Sequence, residues 1–111
     1  MAITTAMCTS FKGELLEAVH NFKNSGGDTF KIALYAIGGG GKSSTTATLG
    51  AATTAYTTTG EIANSGSYSA TGGSLTRVDP ATSGTTGYTD FADFSFTTAT
   101  ITARGALIHN S

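Results

Sequence analysis

Cysteine occurs once, at Cys8, so no disulfide can close within the chain, and stability must come from packing or assembly. Tryptophan is absent and proline appears once, at Pro80. Charge is sparse: 12% of residues are charged, the net charge is −1, and Arg77 and Arg104 are the two arginines. Such a surface has no cationic footprint for a nucleic-acid backbone and no basic patch for anionic lipid. Weak self-repulsion also tolerates close packing against copies of itself or a partner. No apolar run approaches the ~20 residues of a membrane-spanning helix. Met1–Met7 lacks the charged start and apolar stretch of a secretory leader, so the chain is expected to remain in the cytoplasm of its making until carried elsewhere.

Threonine is abundant, with serine, glycine and alanine behind it. Threonine is β-branched and favours strands; glycine and serine supply turns. A length of 111 residues fits one domain with one modest core, so residues 1–111 are read as a single unit.

The first segment has a helical period. Phe11, Leu15, Ala18, Val19 and Phe22 recur on one face, while Lys12, Glu14 and Glu17 take the other. A helix over about 5–22 follows, capped by Thr4, Thr5, Thr9 or Ser10 and stopped by the breaker run Asn24–Asp28. The period then becomes two, and a β-region is expected over about 29–109. Phe30, Ile32 and Leu34 alternate with Lys31, Ala33 and Tyr35 as a half-buried strand. Residues 42–55 read as a mobile surface loop with room for a short strand, Tyr56–Ile62 as a weak strand, and Ser67–Ala70 as a short one. Leu75 and Val78 mark a further strand ending at Asp79-Pro80, with a loop over Ser83–Gly87. A hairpin turning at Thr97-Thr98 would set Phe94 opposite Ile101 and Ala92 opposite Ala103, with an Arg104–Asp93 surface pair. The expected fold class is mainly β: an N-terminal α-helix packed on an antiparallel β-sandwich or barrel. The last apolar strand ends abruptly at Ser111, which implies a chain that continues or an edge covered by assembly.

Candidate chemistry is thin. Ala36-Ile37-Gly38-Gly39-Gly40-Gly41-Lys42-Ser43 follows a strand and ends like a phosphate-binding loop. Ala36 stands at the first glycine position, however, and Ser44–Thr59 has no apolar stripe to form the helix whose N-terminus would face phosphate. A flexible glycine loop is the better reading. Cys8, His20 and His109 have no metal-ligand spacing. Asp90 and Asp93 are three apart, so on a strand they face opposite ways. Cys8 reads as a small apolar helix residue, not a nucleophile. No catalytic, cofactor-binding or metal-ligating residues are assigned, and an enzyme is not expected. A carbohydrate-binding β-sandwich would need exposed aromatics, for which Tyr35, Tyr56 and Tyr68 are the candidates.

Several segments in combination carry a resemblance. They are Ala2–Cys8, Ser10–Lys12, Glu14–Leu16, His20–Phe22, Gly27–Lys31, Thr53–Tyr56, Thr89–Asp93 and Thr100–Ile108. Together they resemble a family of small structural proteins encoded among the head and tail genes of tailed bacteriophages. Two departures stand out: the family's further β-segment with an aspartate–phenylalanine–glycine turn does not follow here, and the Gly38–Lys42 stretch is longer. The resemblance implies a non-enzymatic virion protein, present in the host cytoplasm during assembly, with other virion proteins as partners and no nucleic acid or membrane. It implies a homo-oligomeric capsid decoration or cement protein; the alternative is a tail, neck or fibre component acting as adaptor or host-binding module. The interface residues singled out are Lys12, Glu14 and Glu17 on the helix and Gly38, Gly39, Gly40, Gly41 and Lys42 in the loop.

Overall fold

The computed structural model describes residues 3–36 and 48–111. The elements run α1 (Thr9–Leu16), β1 (Phe30–Tyr35), β2 (Gly73–Ser74), β3 (Arg77–Ser83), β4 (Thr86–Phe91) and β5 (Gly105–Asn110). The chain is mainly β with one short N-terminal helix, and every named strand pair is antiparallel. β1 lies at the centre of a three-stranded sheet ordered β2-β1-β5, and β3 and β4 form a separate two-stranded hairpin.

The helix is eight residues long, shorter than the 5–22 expected. Its end is a reversal at Ala18, which adopts a φ of 60°. There the Val19 N–H donates to Glu14 C=O at 3.0 Å and the Ala18 N–H to Leu15 C=O at 3.2 Å. This is a Schellman-type closure with alanine where glycine is usual. Cys8 is therefore the N-cap, half-buried, with its thiol 3.6 Å from Gly50 O, and not a buried helix residue. His20 falls beyond the helix. The expected inward stripe also splits. Phe11 and Phe22 turn in, while Leu15, Ala18 and Val19 stay exposed, as does the neighbouring Leu16 at 91%. The aromatic side chains outcompete the aliphatic ones here because they join a ring cluster. Phe22 stacks on Phe30 at 4.4 Å, Phe11 and His20 pack beside them, and Phe91 of β4 closes the group at 5.7 Å from Phe30. Each such pair adds about 0.5–1.5 kcal/mol beyond area burial.

β1 is buried from both sides, not from one. Ala33 and Tyr35 pack with Leu49, flanked by Ile3, Tyr56 and Leu107. Leu34 on the opposite face packs with Ala36, Ile62 and Tyr68, flanked by Phe96 and Ile101. A central strand covered on both faces has little room for a polar row. Leu49, the isolated apolar residue of the expected loop, is thus a core residue, bridged to Ile3 in parallel.

The expected hairpin over 92–103 does not form. The Thr97-Thr98 turn is present, with Thr98 at φ 50°. It docks on another turn instead: Ser67 N–H donates to Thr97 O at 3.1 Å and Thr100 N–H to Ser65 Oγ at 2.9 Å. Phe96 and Ile101 enter the core beside Tyr68 rather than pairing across a ladder. Phe91 accordingly stands opposite Arg77, not Arg104, and the Arg104–Asp93 register falls with it; the Arg104 backbone N–H donates to Tyr35 O. β3 runs through Asp79-Pro80, where it was expected to end. A register shift between Val78 and Ala81 accommodates the proline, as edge strands allow. Thr86 and Gly87, expected in a loop, begin β4. The reversal between the strands needs only Gly84 and Thr85, with Gly84 at φ 60°.

Candidate functional site

The most concentrated polar chemistry is buried. Glu61, wholly inaccessible to solvent, sits on a bridge to Tyr35. Its carboxyl oxygens accept from Tyr68 Oη at 2.6 Å, from the Thr71 N–H at 2.9 Å, and from Tyr56 Oη. Tyr68 Oη in turn accepts from the Leu34 N–H of β1 at 3.0 Å, so one phenol joins the carboxyl group to the central strand. Tyr35 Oη donates to Thr57 O at 2.6 Å. Around this centre His109 stacks on Tyr56 at 4.7 Å and its Nε2 meets Thr71 O at 2.9 Å. Burial, reinforced by the hydrogen bond to Glu61, pushes the Tyr56 phenol up to about 12. Burial likewise pushes Tyr35 up to about 12 and raises Tyr68 further. All three phenols therefore stay protonated as donors at neutral pH. With its oxygens engaged by these donors and no exposed surface, Glu61 works as a knot holding residues 56–71 onto β1.

A second network ties the N-terminal region to the sheet. His20 Nε2 lies 3.0 Å from Glu14 Oε1, and its Nδ1 lies 2.9 Å from Asn110 Nδ2. The same Asn110 amide donates to Asp28 Oδ2 at 2.9 Å, which also accepts from the Asn21 N–H at 2.8 Å. An amide nitrogen facing the Asp28 carboxylate must present its protons, so His20 Nδ1 is the acceptor and Nε2 the donor. The Asn21 and Asn110 donors hold the Asp28 carboxyl below its ordinary range, helped by the positive charge of Arg77. Arg77 donates to Asn24 O at 2.9 Å and to Asp28 O, anchoring the base of the β3–β4 hairpin.

The surface is less finished than the interior. Beyond its base, the hairpin is exposed along both strands. Met7, Leu15, Leu16 and Val19 form an apolar exposed set around α1, and Tyr88 and Ile108 are each about half exposed. An open cleft of about 580 Å³ is lined by Thr4 and Thr48–Thr57, mostly threonine, alanine and glycine with Leu49 and Tyr56 among them.

Of the residues singled out from sequence, Lys12 and Glu17 are on the exposed side of α1, whereas Glu14 turns toward His20. Gly38, Gly39, Gly40, Gly41 and Lys42 lie outside the described residues. Tyr35 and Tyr68, offered as exposed sugar-stacking rings, are 0% exposed and belong to the core. Tyr56 is half-buried in the Glu61 centre. Glu61 itself escaped sequence reading; the one available signal was an acidic residue inside a weak strand, between Tyr56 and Tyr68. Among the described residues no group of His, Cys, Asp and Glu could hold a metal ion, and no helix is long and apolar enough to cross a membrane. Compared with protein-family models, with curated proteins and with solved structures, the chain matches nothing.

Proposed function

We propose that the chain is a non-enzymatic structural subunit of a tailed-bacteriophage virion, acting as a capsid decoration or cement protein. The observation that carries the reading is the contrast between a tightly fixed interior and a surface left open to partners. Leu15 and Leu16 at the end of α1 and Val19 just beyond it are exposed, and no residue of the helix is fully buried. The β3–β4 hairpin stands with its strands exposed. An isolated two-stranded hairpin is marginal in water, and apolar side chains grouped on a surface mark contact sites. Sparse charge lets many copies pack close together. The combination of segments resembling phage head-and-tail structural proteins points to the same class. A cement protein on the capsid shell would use the helix and hairpin against its neighbours.

A tail, neck or fibre role is the second reading, favoured by the same hairpin. Its threonine, serine and glycine-rich tip, Ala81–Thr89, suits an adaptor or host-contact arm.

Gold-labelled antibody on intact particles, viewed by electron microscopy, separates these. Label spread over the head supports decoration, and label confined to tail or neck replaces it with the adaptor reading. Absence from both intact and disrupted particles refutes a virion role.

A further inference from the structure

β-strand edges are where one chain recruits another, because their outward N–H and C=O groups have no partner within the sheet. The ladders identify which groups these are. The Ser111 N–H donates to Thr29 O at 2.7 Å, so odd-numbered residues of β5 face β1, and Ala106, Ile108 and Asn110 direct their backbone groups outward. The Ala92 N–H donates to Thr76 O at 2.9 Å, so even-numbered residues of β4 face β3, and Gly87 and Thr89 direct theirs outward. Among the described residues none pairs with either outer edge.

The remaining edges are blunted. β3 carries Pro80 and a register shift, both of which interrupt strand addition. β2 is two residues long. By contrast β5 (Gly105–Asn110) has no proline and no acidic, lysine or arginine side chain, and Thr86–Thr89 of β4 has none either. Each open edge also carries one half-exposed large side chain, Ile108 on β5 and Tyr88 on β4.

We infer that β4 of one copy adds to β5 of the next, joining copies of this chain head to tail. The occupant is a second copy for two reasons. Over Thr86–Thr89 and Gly105–Asn110 the two edges match in charge, being free of it, so a charged partner strand would find no counterpart on either. A single β4-to-β5 contact also covers both open edges of every copy, whereas a symmetric β5-to-β5 contact would leave every β4 open. Added in parallel, with the Ile108 N–H donating to Gly87 O and the Thr89 N–H to Ile108 O, the strands would set Tyr88 beside Ile108 on one face of the joined sheet. A strand pair alone buries less than the ~1,200 Å² of a stable interface. Closure into a ring gives each copy two such contacts, and head-to-tail interfaces form rings when the rotation closes. The inference rests on reading the chain as an assembly subunit, but its test does not depend on particle labelling.

The test uses Thr89→Pro and Ile108→Pro. Each removes an outward N–H that bonds neither β3 nor β1, so the internal ladders keep their bonds. Thr89→Lys and Ile108→Lys serve as alternates should either proline variant lose its circular dichroism spectrum or cooperative melt. Sedimentation velocity from micromolar to near-millimolar protein reads the outcome. The wild-type chain forms a higher assembly and each variant alone is monomeric. An equimolar mixture of the two variants gives 1:1 dimers, because one retains β4 and the other β5. A wild-type chain that stays monomeric throughout overturns the inference, as does a mixture without dimers. Self-dimerisation of Thr89→Pro also overturns it, in favour of the symmetric β5 contact.

Discussion

Tyr68→Phe is the most informative single change to the interior. It removes one oxygen and creates almost no cavity, so its cost isolates the polar knot. That oxygen donates to Glu61 Oε2 at 2.6 Å and accepts from the Leu34 N–H at 3.0 Å. Its loss orphans a buried backbone donor on the central strand, which costs about 1–3 kcal/mol. It also deprives a fully buried carboxyl group of one of its donors, a bond worth about 1.5–3 kcal/mol when the partner is charged. The Thr71 N–H remains on the same oxygen and softens the second loss. A total of about 3 kcal/mol follows. With an unfolding entropy of ~2.1 cal/mol/K per residue over 111 residues, that is a drop in Tm of about 13 °C. Tyr35→Phe is the control. Among the described residues its phenol makes one bond, to a carbonyl, and its loss should cost about 1 kcal/mol. Urea unfolding of the three proteins, with unchanged m-values, measures both. A Tyr68→Phe variant within about 0.5 kcal/mol of wild type, or no worse than Tyr35→Phe, would refute the assignment of Tyr68 as the link between Glu61 and β1.

Ala18→Gly relieves the left-handed backbone that ends α1 and should stabilise the fold by about 1 kcal/mol in the same urea assay. Leu49→Ala should cost about 2–5 kcal/mol as a core truncation, while Leu16→Ser should fall within about 0.5 kcal/mol of wild type because that side chain is exposed. The carboxyl of Asp28 titrates lower in the folded chain than in the unfolded one. Its contribution is therefore present above the ordinary carboxylate range and lost as pH falls through the depressed folded value; Asp28→Asn should narrow the gap in Tm to wild type as pH is taken below about 4. Tyr35 and Tyr56 titrate higher when folded, so their contribution is intact below about pH 10 and lost as pH rises toward about 12. Ultraviolet titration should show their ionisation coinciding with loss of the circular dichroism spectrum, and tyrosinate formation well before unfolding would contradict the burial of these rings.

The class of fold was legible because period and composition are local. Alternation from Phe30 marked β1 correctly, and the Asn24–Asp28 breaker run marked the turn before it. The misreadings come where several local solutions compete. Phe11, Leu15, Val19 and Phe22 all suit a buried helical face, but the phenylalanines have aromatic partners in Phe30 and Phe91 and the aliphatic residues do not. Phe96 and Ile101 alternate as a hairpin would, yet the apolar surface of Tyr68 offers them burial without a ladder. Pro80 normally ends a strand, and only the edge position of β3 makes it tolerable. The Glu61 centre was illegible for a different reason. Its members lie at 34–35, 56–61 and 68–71, and nothing in the spacing of those residues announces that their hydroxyls and carboxyl group converge.

The buried centre and the open edges make physical sense together. β1 is packed with apolar side chains on both faces, so hydrophobic alternation alone separates its registers poorly, and a slip of one residue moves every side chain to the other side. Glu61 counters that. A fully buried carboxyl group is tolerated only in the one arrangement that brings Tyr56, Tyr68 and Thr71 to it, so alternative registers carry the cost of a stranded polar group. With the interior register fixed in this way, the edge strand β5 can stay receptive to a strand from outside without inviting the sheet itself to slip. On this reasoning Glu61→Gln should do more than lower stability. By weakening the penalty on wrong registers, it should broaden the melting transition and raise non-specific aggregation at a fixed distance below Tm. Light scattering against Leu49→Ala, a variant destabilised through packing alone, makes the comparison. Equal aggregation at matched stability would show that Glu61 contributes free energy without contributing register.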